Sequence, residues 1–416
     1  MVQIALGREL FYWLLQVLIL DTIHIPEGIH YECTGCGNCC LAWPVPITFD
    51  DYLRISKLNE KEIHPASISS GLFRALNSPE LKLKGFSHTL EKRADGKCEF
   101  LTEDNCCQLH LNFGSQMKPY MCQLFPYTFN KTPSGVYVSL SFASTGALLN
   151  SGRALNQQSD LIRQKWELFC KLFPQVSPDW SQSQLVDGTY VDWDEFMLFD
   201  EVILRMIQPT GDGQIERRLL AISDYIVSKL SEGSLSQRLP AMAARPKLID
   251  QIVLKHLFAL YFPKDVFADN GVDLDKKALL KELVEPPQAV RLSYGGTSFG
   301  FQKLKDLVLS ALDRESEDLL FRFVYCRLFA KLYFGGGFAH LSVLAGLHHL
   351  AILVALVRLK IKMSVLANEG LRPSFLEVVE MVRALERRLS QVCFSKETMT
   401  VLEVLLMSPE RLERIL

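Results

Sequence analysis

A mainly α fold with a small β- and loop-rich element is predicted: a cysteine-cluster metal-binding module over residues 1–150, followed by a larger helical domain over residues 151–416. Three observations point there. Eight of the 11 cysteines (Cys33, Cys36, Cys39, Cys40, Cys98, Cys106, Cys107 and Cys122) fall between positions 33 and 122, leaving Cys170, Cys326 and Cys393 for the rest. Helical periodicity dominates from about residue 155, whereas turn signals crowd the region before it. A length of 416 residues accommodates two or three domains. With 48% hydrophobic and 22% charged residues, disordered and collagen-like classes are excluded. Lys+Arg 45 against Asp+Glu 47 gives a net charge of −2, which offers no global attraction to nucleic acid or an anionic membrane, so no nucleic-acid partner is expected.

The elements follow in chain order. The apolar stretch Leu10–Leu20 follows Arg8–Glu9, is interrupted by Gln16 and lacks a small-x-small cleavage site, so an amphipathic helix or extended lead-in is expected rather than a signal peptide. Turns are marked by Pro26–Glu27–Gly28, Asp95–Gly96 and Pro133–Ser134–Gly135, and Val136–Phe142 has the alternation of a strand. Leu161, Ile162, Trp166, Phe169 and Leu172 recur at helical spacing, as do Phe196, Phe199, Val202, Ile203 and Met206, then Leu219, Ile222, Ile226 and Leu230. Pro246–Phe262 opens on a helix-compatible proline and is closed by Pro263. Pro286–Pro287 and Ser293–Gly300 mark a break, and Ser374 with Glu377 forms a capping box before a helix whose Glu and Arg residues suit a solvated face. No charge occurs between Lys331 and Arg358. Three glycines, Gly335–Gly337, and three histidines, His340, His348 and His349, make a buried core helix the expectation over 338–357, not a membrane span. The chain is therefore expected to be soluble and cytoplasmic, with its oligomeric state open.

The cysteines carry the chemistry. Cys33-x2-Cys36-x2-Cys39-Cys40 is spaced by Gly35 and Gly37, which tolerate positive φ and let the backbone turn sulfurs inward. A Cys-x2-Cys turn can supply two ligands of a zinc site, and three cysteines at x2 spacing match the start of a ferredoxin-type run. The fourth thiolate must come from Cys40 or from the second group, Cys98, Cys106–Cys107 and Cys122. Disulfides fit the even count but not the compartment, and buried free thiols rarely arrive at such density. Thiolate ligation of iron–sulfur or Zn2+ is the expectation, with the choice between them open because both accept four thiolates.

Cys33–Cys40, then Cys98–Leu101, then Cys107–His110, then Lys118–Pro126 resemble the Cys-x2-Cys-x2-Cys-Cys cysteine-cluster proteins, described as zinc- or iron-chelating. In two places the chain is similar to the flagellin lysine-N-methylases: Cys40–Ile47 resembles their Cys-x-x-Trp-x-Val segment, and Asn112–Tyr127 resembles a run ending in Cys followed four residues later by Pro. The resemblance covers residues 30–150 and implies metal ligands among Cys33, Cys36, Cys39, Cys40, Cys98, Cys107 and Cys122, with Cys106 an extra thiol. From the methylases it further implies a 4Fe-4S cluster, S-adenosylmethionine and a protein lysine substrate. One departure is plain: where the methylases carry Ser-Cys-Pro, this chain has Ser141–Phe142–Ala143–Ser144.

Other chemistry is weaker. Gly295–Gly300 is followed by Phe301–Gln302 rather than Gly-Lys, so a turn before a helix is expected, not a phosphate cradle. His348–His349 and His340 are not at i, i+4 and suit core positions, and His110 could join a mixed zinc site. Asp194, beside Asp192 and Glu195, is taken as a helix start, and Arg217–Arg218 and Arg387–Arg388 as short runs on helix faces. Two functions stand side by side: an iron–sulfur lysine N-methyltransferase, whose catalytic residues the sequence does not reveal, and a non-catalytic chelating module on a helical scaffold.

Overall fold

The structure, a computed structural model, describes residues 22–41, 45–58, 71–77, 82, 85–174, 180, 183–209, 214–232, 247–263, 272–309 and 311–416. The N-terminal apolar stretch and Ala42–Pro44 of the tryptophan-containing segment lie outside these residues.

Strand β1 (Ile23–His24) leads into the cysteine loop, whose end is a short 3-10 turn over Asn38–Cys40. Beyond it come β2 (Pro46–Thr48), α1 (Phe49–Ser56), β3 (Phe73–Ala75) and β4 (Phe86–Leu90), with β4 central in a three-stranded antiparallel sheet. Thr48 and Asp51 close a reciprocal capping box on α1, which satisfies its first backbone N–H groups. Short helices α2 (Gln108–Phe113) and α3 (Tyr120–Leu124) precede the hairpin β5 (Tyr127–Thr132) and β6 (Gly135–Leu140). β6 is also paired in parallel with β1. The strand expected at 136–142 stops at Leu140, and Val136, Tyr137, Val138 and Leu140 are all buried because both faces of the hairpin are covered.

The helical region runs α4 (Thr145–Leu148), α5 (Ser159–Leu172), a hairpin of β7 (Ser183–Val186) and β8 (Thr189–Val191), then α6 (Trp193–Ile207), α7 (Ile215–Glu232), α8 (Lys247–Tyr261) and α9 (Lys276–Val284). The helix taken to start near Asp194 begins at Trp193, because the Asp192 carboxylate caps the Glu195 N–H at 2.8 Å. Ser293–Gly300 folds as a hairpin, β9 (Arg291–Tyr294) and β10 (Thr297–Gly300), running straight into α10 (Phe301–Asp306). The last elements are α11 (Arg314–Phe329), α12 (Val343–Ala367), α13 (Phe375–Leu389), α14 (Lys396–Leu406) and α15 (Pro409–Ile415).

Helix α12 is apolar on all sides and nearly every residue from Val343 to Val357 is buried, which is the signature of a central helix. It packs against α7, α8, α13, α14 and α15. Among the described residues no helix is long and apolar enough to cross a membrane. His340 is not on this helix: it sits in the preceding turn at φ +51°, and Ser342 caps the helix start.

Among the described residues the buried side chains form two cores. The larger runs from Ile29 through β5 and β6 and on to Leu412. The smaller comprises Val45, Ile47, Ile55, Leu72, Leu90, Cys98, Phe100, Leu101 and Leu109, with Cys40, Cys107 and Cys122 packed against it.

Candidate metal centre

The cysteine loop turns as its glycines require. Gly35 and Gly37 adopt φ +63° and +69°, and a Cβ on Gly37 would lie 2.9 Å from the Asn105 Cβ. The Cys40 N–H donates to the Gly37 carbonyl at 2.8 Å, which tightens the turn that carries Cys39 and Cys40. These two neighbours then go to different partners.

Cys39 lies in the charge field of Cys33 and Cys36, beside the Tyr31 ring and the Ser144 hydroxyl. The Cys36 thiol donates to Thr145 Oγ1 at 2.9 Å. Close approach of the Ser144–Leu148 segment depends on Gly146, where a Cβ would meet the Glu32 carbonyl at 2.2 Å. Arg322 anchors the same segment by donating to the Ala147 and Leu148 carbonyls at 2.9 Å each. Burial opposes ionisation of Cys36, but hydrogen bonding with Thr145, Thr34 and the Asn38 backbone, aided by the Arg383 charge, brings its thiol below the ordinary value. Burial and the neighbouring thiolates raise Cys39.

Cys40 joins Cys98, Cys107 and Cys122. The Cys98 N–H donates to the Cys40 carbonyl at 3.0 Å, and backbone bridges tie Leu41 to Lys97 and Leu101 to Cys107. Burial, then the charges of Cys98, Cys39 and Cys107, push Cys40 up to about 12 against the opposing Lys92 cation. Burial raises Cys98 and takes Cys122 well above the thiol range, with Lys118 opposing it in the latter. Cys106 stands apart, its thiol donating to the Asp104 carbonyl at 3.8 Å, and His110 is exposed on α2.

The seven thiols taken as ligands thus form a group of three and a group of four, and none of the eight clustered cysteines is in a disulfide. Among the described residues no three His, Cys, Asp or Glu side chains stand close enough to hold an ion as they are. The neutral thiols are neighbours without converging, since S–H groups gain little by facing one point until a cation replaces their protons. The donors themselves, soft sulfurs backed by lysine and arginine, suit zinc or iron–sulfur and not calcium or magnesium.

The neighbours of the three-thiol group were not visible in the sequence. Helix α13, expected to present a solvated charged face, buries Arg383 and Glu386 instead. Arg383, 3% exposed, donates to Thr145 Oγ1 at 2.8 Å and pairs with Glu380. Arg387 donates to the Asn38 carbonyl at 2.8 Å. Where the methylases carry their extra thiol, Phe142 packs edge-on against Phe323 at 5.6 Å, and the Ser141 hydroxyl donates to Glu386 at 3.1 Å. Beside the loop lies a cavity of about 510 Å³ whose walls include Asn38, Thr145, Lys360, Glu377, Glu380 and Arg383. Burial brings Lys360 down to about 8, with its amine 4.1 Å from the centre of the Phe262 ring.

Fold and site together define a thiol-cluster protein with a helical body. Residues 32–142 match the CxxCxxCC family, described as "Putative zinc- or iron-chelating domain". The chain is also 26% identical over 202 residues to the uncharacterized protein MJ0939 of Methanocaldococcus jannaschii, in a match that covers 46% of this chain and 64% of that relative's length. No solved structure matches the chain.

Proposed function

We propose that the chain is a metal-chelating protein whose thiolates hold zinc or iron, the iron as an iron–sulfur cluster. The observation that carries this reading is the meeting of thiols from three separate stretches, 33–40, 98–107 and 122, unbridged and with Lys92, Lys118 and Arg383 placed to offset their charge. Such thiols persist in a reducing compartment, in keeping with a cytoplasmic location. Metal and acid-labile sulfide analysis of protein purified without oxygen tests it. Iron with matching sulfide and broad visible absorption assigns a cluster, whereas colourless protein with zinc assigns a zinc centre. Protein carrying neither, and taking up neither after reduction, overturns the chelating function.

A second reading, methyl transfer from S-adenosylmethionine to a protein lysine, is favoured by the cavity beside the thiol loop. Its volume suits a small-molecule site, and it combines Arg383 and Lys360 with Glu377 and Glu380, a complement to a ligand bearing both carboxylate and ammonium. Lysine attack requires a neutral amine, which a desolvating wall and a nearby base supply. Equilibrium dialysis with S-adenosylmethionine decides it. Saturable binding weakened by Lys360→Met is expected, and no saturable binding removes methyl transfer while leaving chelation intact.

A further inference from the structure

We infer that Lys360 is a carbonyl-capturing amine: the cavity walled by α12, α13 and β9 admits a small, mainly apolar aldehyde and holds it as an imine on the Lys360 Nζ. The inference goes beyond both readings above, since it needs neither a metal nor a methyl donor.

Lys360 lies on the central helix α12 between Leu359 and Ile361, both buried. Lys331 shows how this protein matches a lysine charge in its core, with Asp200 Oδ2 2.9 Å from the ammonium. Lys360 is treated differently. Among the described residues no hydrogen bond or ion pair holds its amine, which rests 4.1 Å from the centre of the Phe262 ring. An amine drawn out of water without a counter-charge is unfavourable as a cation, and the aromatic face offsets only part of that cost. The same desolvation makes it a nucleophile. Burial, with no neighbouring charge opposing it, brings Lys360 down to about 8. At pH 7 that leaves about two orders of magnitude more neutral amine than an ordinary lysine has.

The space around the amine suits carbonyl chemistry. Lys360 lines the cavity of about 510 Å³, a size within the range of small-molecule sites. Leu149, Leu376, Val379 and Met381 make much of its wall apolar. The ionic groups there are already engaged with the protein. Glu380 pairs with Arg383, which also donates to Thr145 Oγ1 at 2.8 Å, and Glu377 accepts from the Ser374 N–H at 2.8 Å. A bound molecule therefore needs no net charge, and the amine left for it to engage is that of Lys360. Tyr294, at the end of β9 against α12, adds to the wall a hydroxyl that can donate to a carbonyl oxygen. An unhindered aldehyde meets these terms. Nζ adds to the carbonyl carbon, both amine hydrogens depart with the carbonyl oxygen as water, and C=N replaces C=O. No oxidant or reductant enters the step.

The test uses the full chain, with hexanal as the carbonyl probe and cyanoborohydride, which reduces imines and spares aldehydes, to fix any adduct. Peptide mapping by mass spectrometry then reads the lysines together. At pH 7 Lys360 is expected to be modified at least about tenfold faster than the exposed lysines, at a rate that saturates as hexanal rises. Lys360→Arg should abolish this fast, saturable phase and leave the slow surface reaction unchanged. Modification spread over the exposed lysines with no preference for Lys360 overturns the inference. So does a fast reaction at Lys360 whose rate rises linearly with hexanal, which would mean a reactive amine without a bound carbonyl. Should Lys360→Arg not fold, the wild-type map and its concentration dependence decide alone.

Discussion

Lys331 has no exposed surface, yet it sits at φ +54° with its ammonium 2.9 Å from Asp200 Oδ2 and 2.8 Å from the Phe329 carbonyl, over the Tyr137 ring at 3.7 Å. Burial drives both members of this pair toward their neutral forms, and their mutual attraction opposes it. Removing one partner leaves the other charge uncompensated in the core. Asp200→Ala is therefore expected to destabilise the protein by about 3–5 kcal/mol, measured by urea denaturation. The double variant Asp200→Leu with Lys331→Met should recover much of that loss, and a double variant no better than the single would contradict this account. At this scale the thiols were legible because cysteine is rare and seven of them fall into spaced motifs. Their partners were not. Arg383 and Arg387 look like ordinary helix-face charges, and only a contact more than two hundred positions away in sequence reveals that they face Thr145 and Asn38.

Among the elements, α12 holds two neighbouring histidines in apolar surroundings. The Leu406 carbonyl can only accept, so His348 Nδ1 donates to it and Nε2 accepts from the Ser223 hydroxyl at 2.6 Å. His349 Nε2 and the Tyr261 hydroxyl share a hydrogen bond at 2.7 Å. Burial lowers His348 to about 4 and His349 to about 3. In the unfolded chain both titrate near 6.5, so there the unfolded state binds the proton first. Stability is full above pH 6.5 and is lost as pH falls from 6.5 through about 4, by about 3 kcal/mol from His348 alone. Chemical denaturation across that range should show the loss, and His348→Gln should flatten it; an unchanged slope in the variant would sink the assignment. Helix α13 depends on its cap, in which Ser374 and Glu377 bond each other's backbone N–H. Ser374→Ala should cost about 1 kcal/mol, read as a shift in denaturation midpoint. The helical periodicities and this capping box were readable from the sequence because they are local. The N-cap at Asp192 was missed by two residues, and the helix expected over 338–357 begins only at Val343, which leaves His340 outside α12, since each start depends on which side chain reaches a free N–H.

For the molecule as a whole, the two cores differ in how much holds them. The large one has α12 wrapped by helices, whereas the small one rests on a few side chains and its four thiols. On the proposed chelating function, metal bound by these thiolates would add folding energy to the small core. Chelator treatment of the metal-loaded protein should raise hydrogen exchange in β2, β3 and β4 while the amides of α11 and α12 keep their protection. Equal loss in both regions would contradict separate support.

The sequence by itself determined that helices dominate after residue 155, that the long uncharged stretch is a core helix, and that residues 33–122 concentrate soft ligands. Each follows from periodicity, composition or spacing along the chain, which are local quantities. Only the tertiary structure decided how the thiols are shared. Cys39 and Cys40 are indistinguishable in sequence, and what separates them is the turn between them and the segments packed on either side. Ser144 and Thr145 flank Cys39, and the Cys98 core flanks Cys40. That sorting is a property of long-range packing, which no window of the sequence contains.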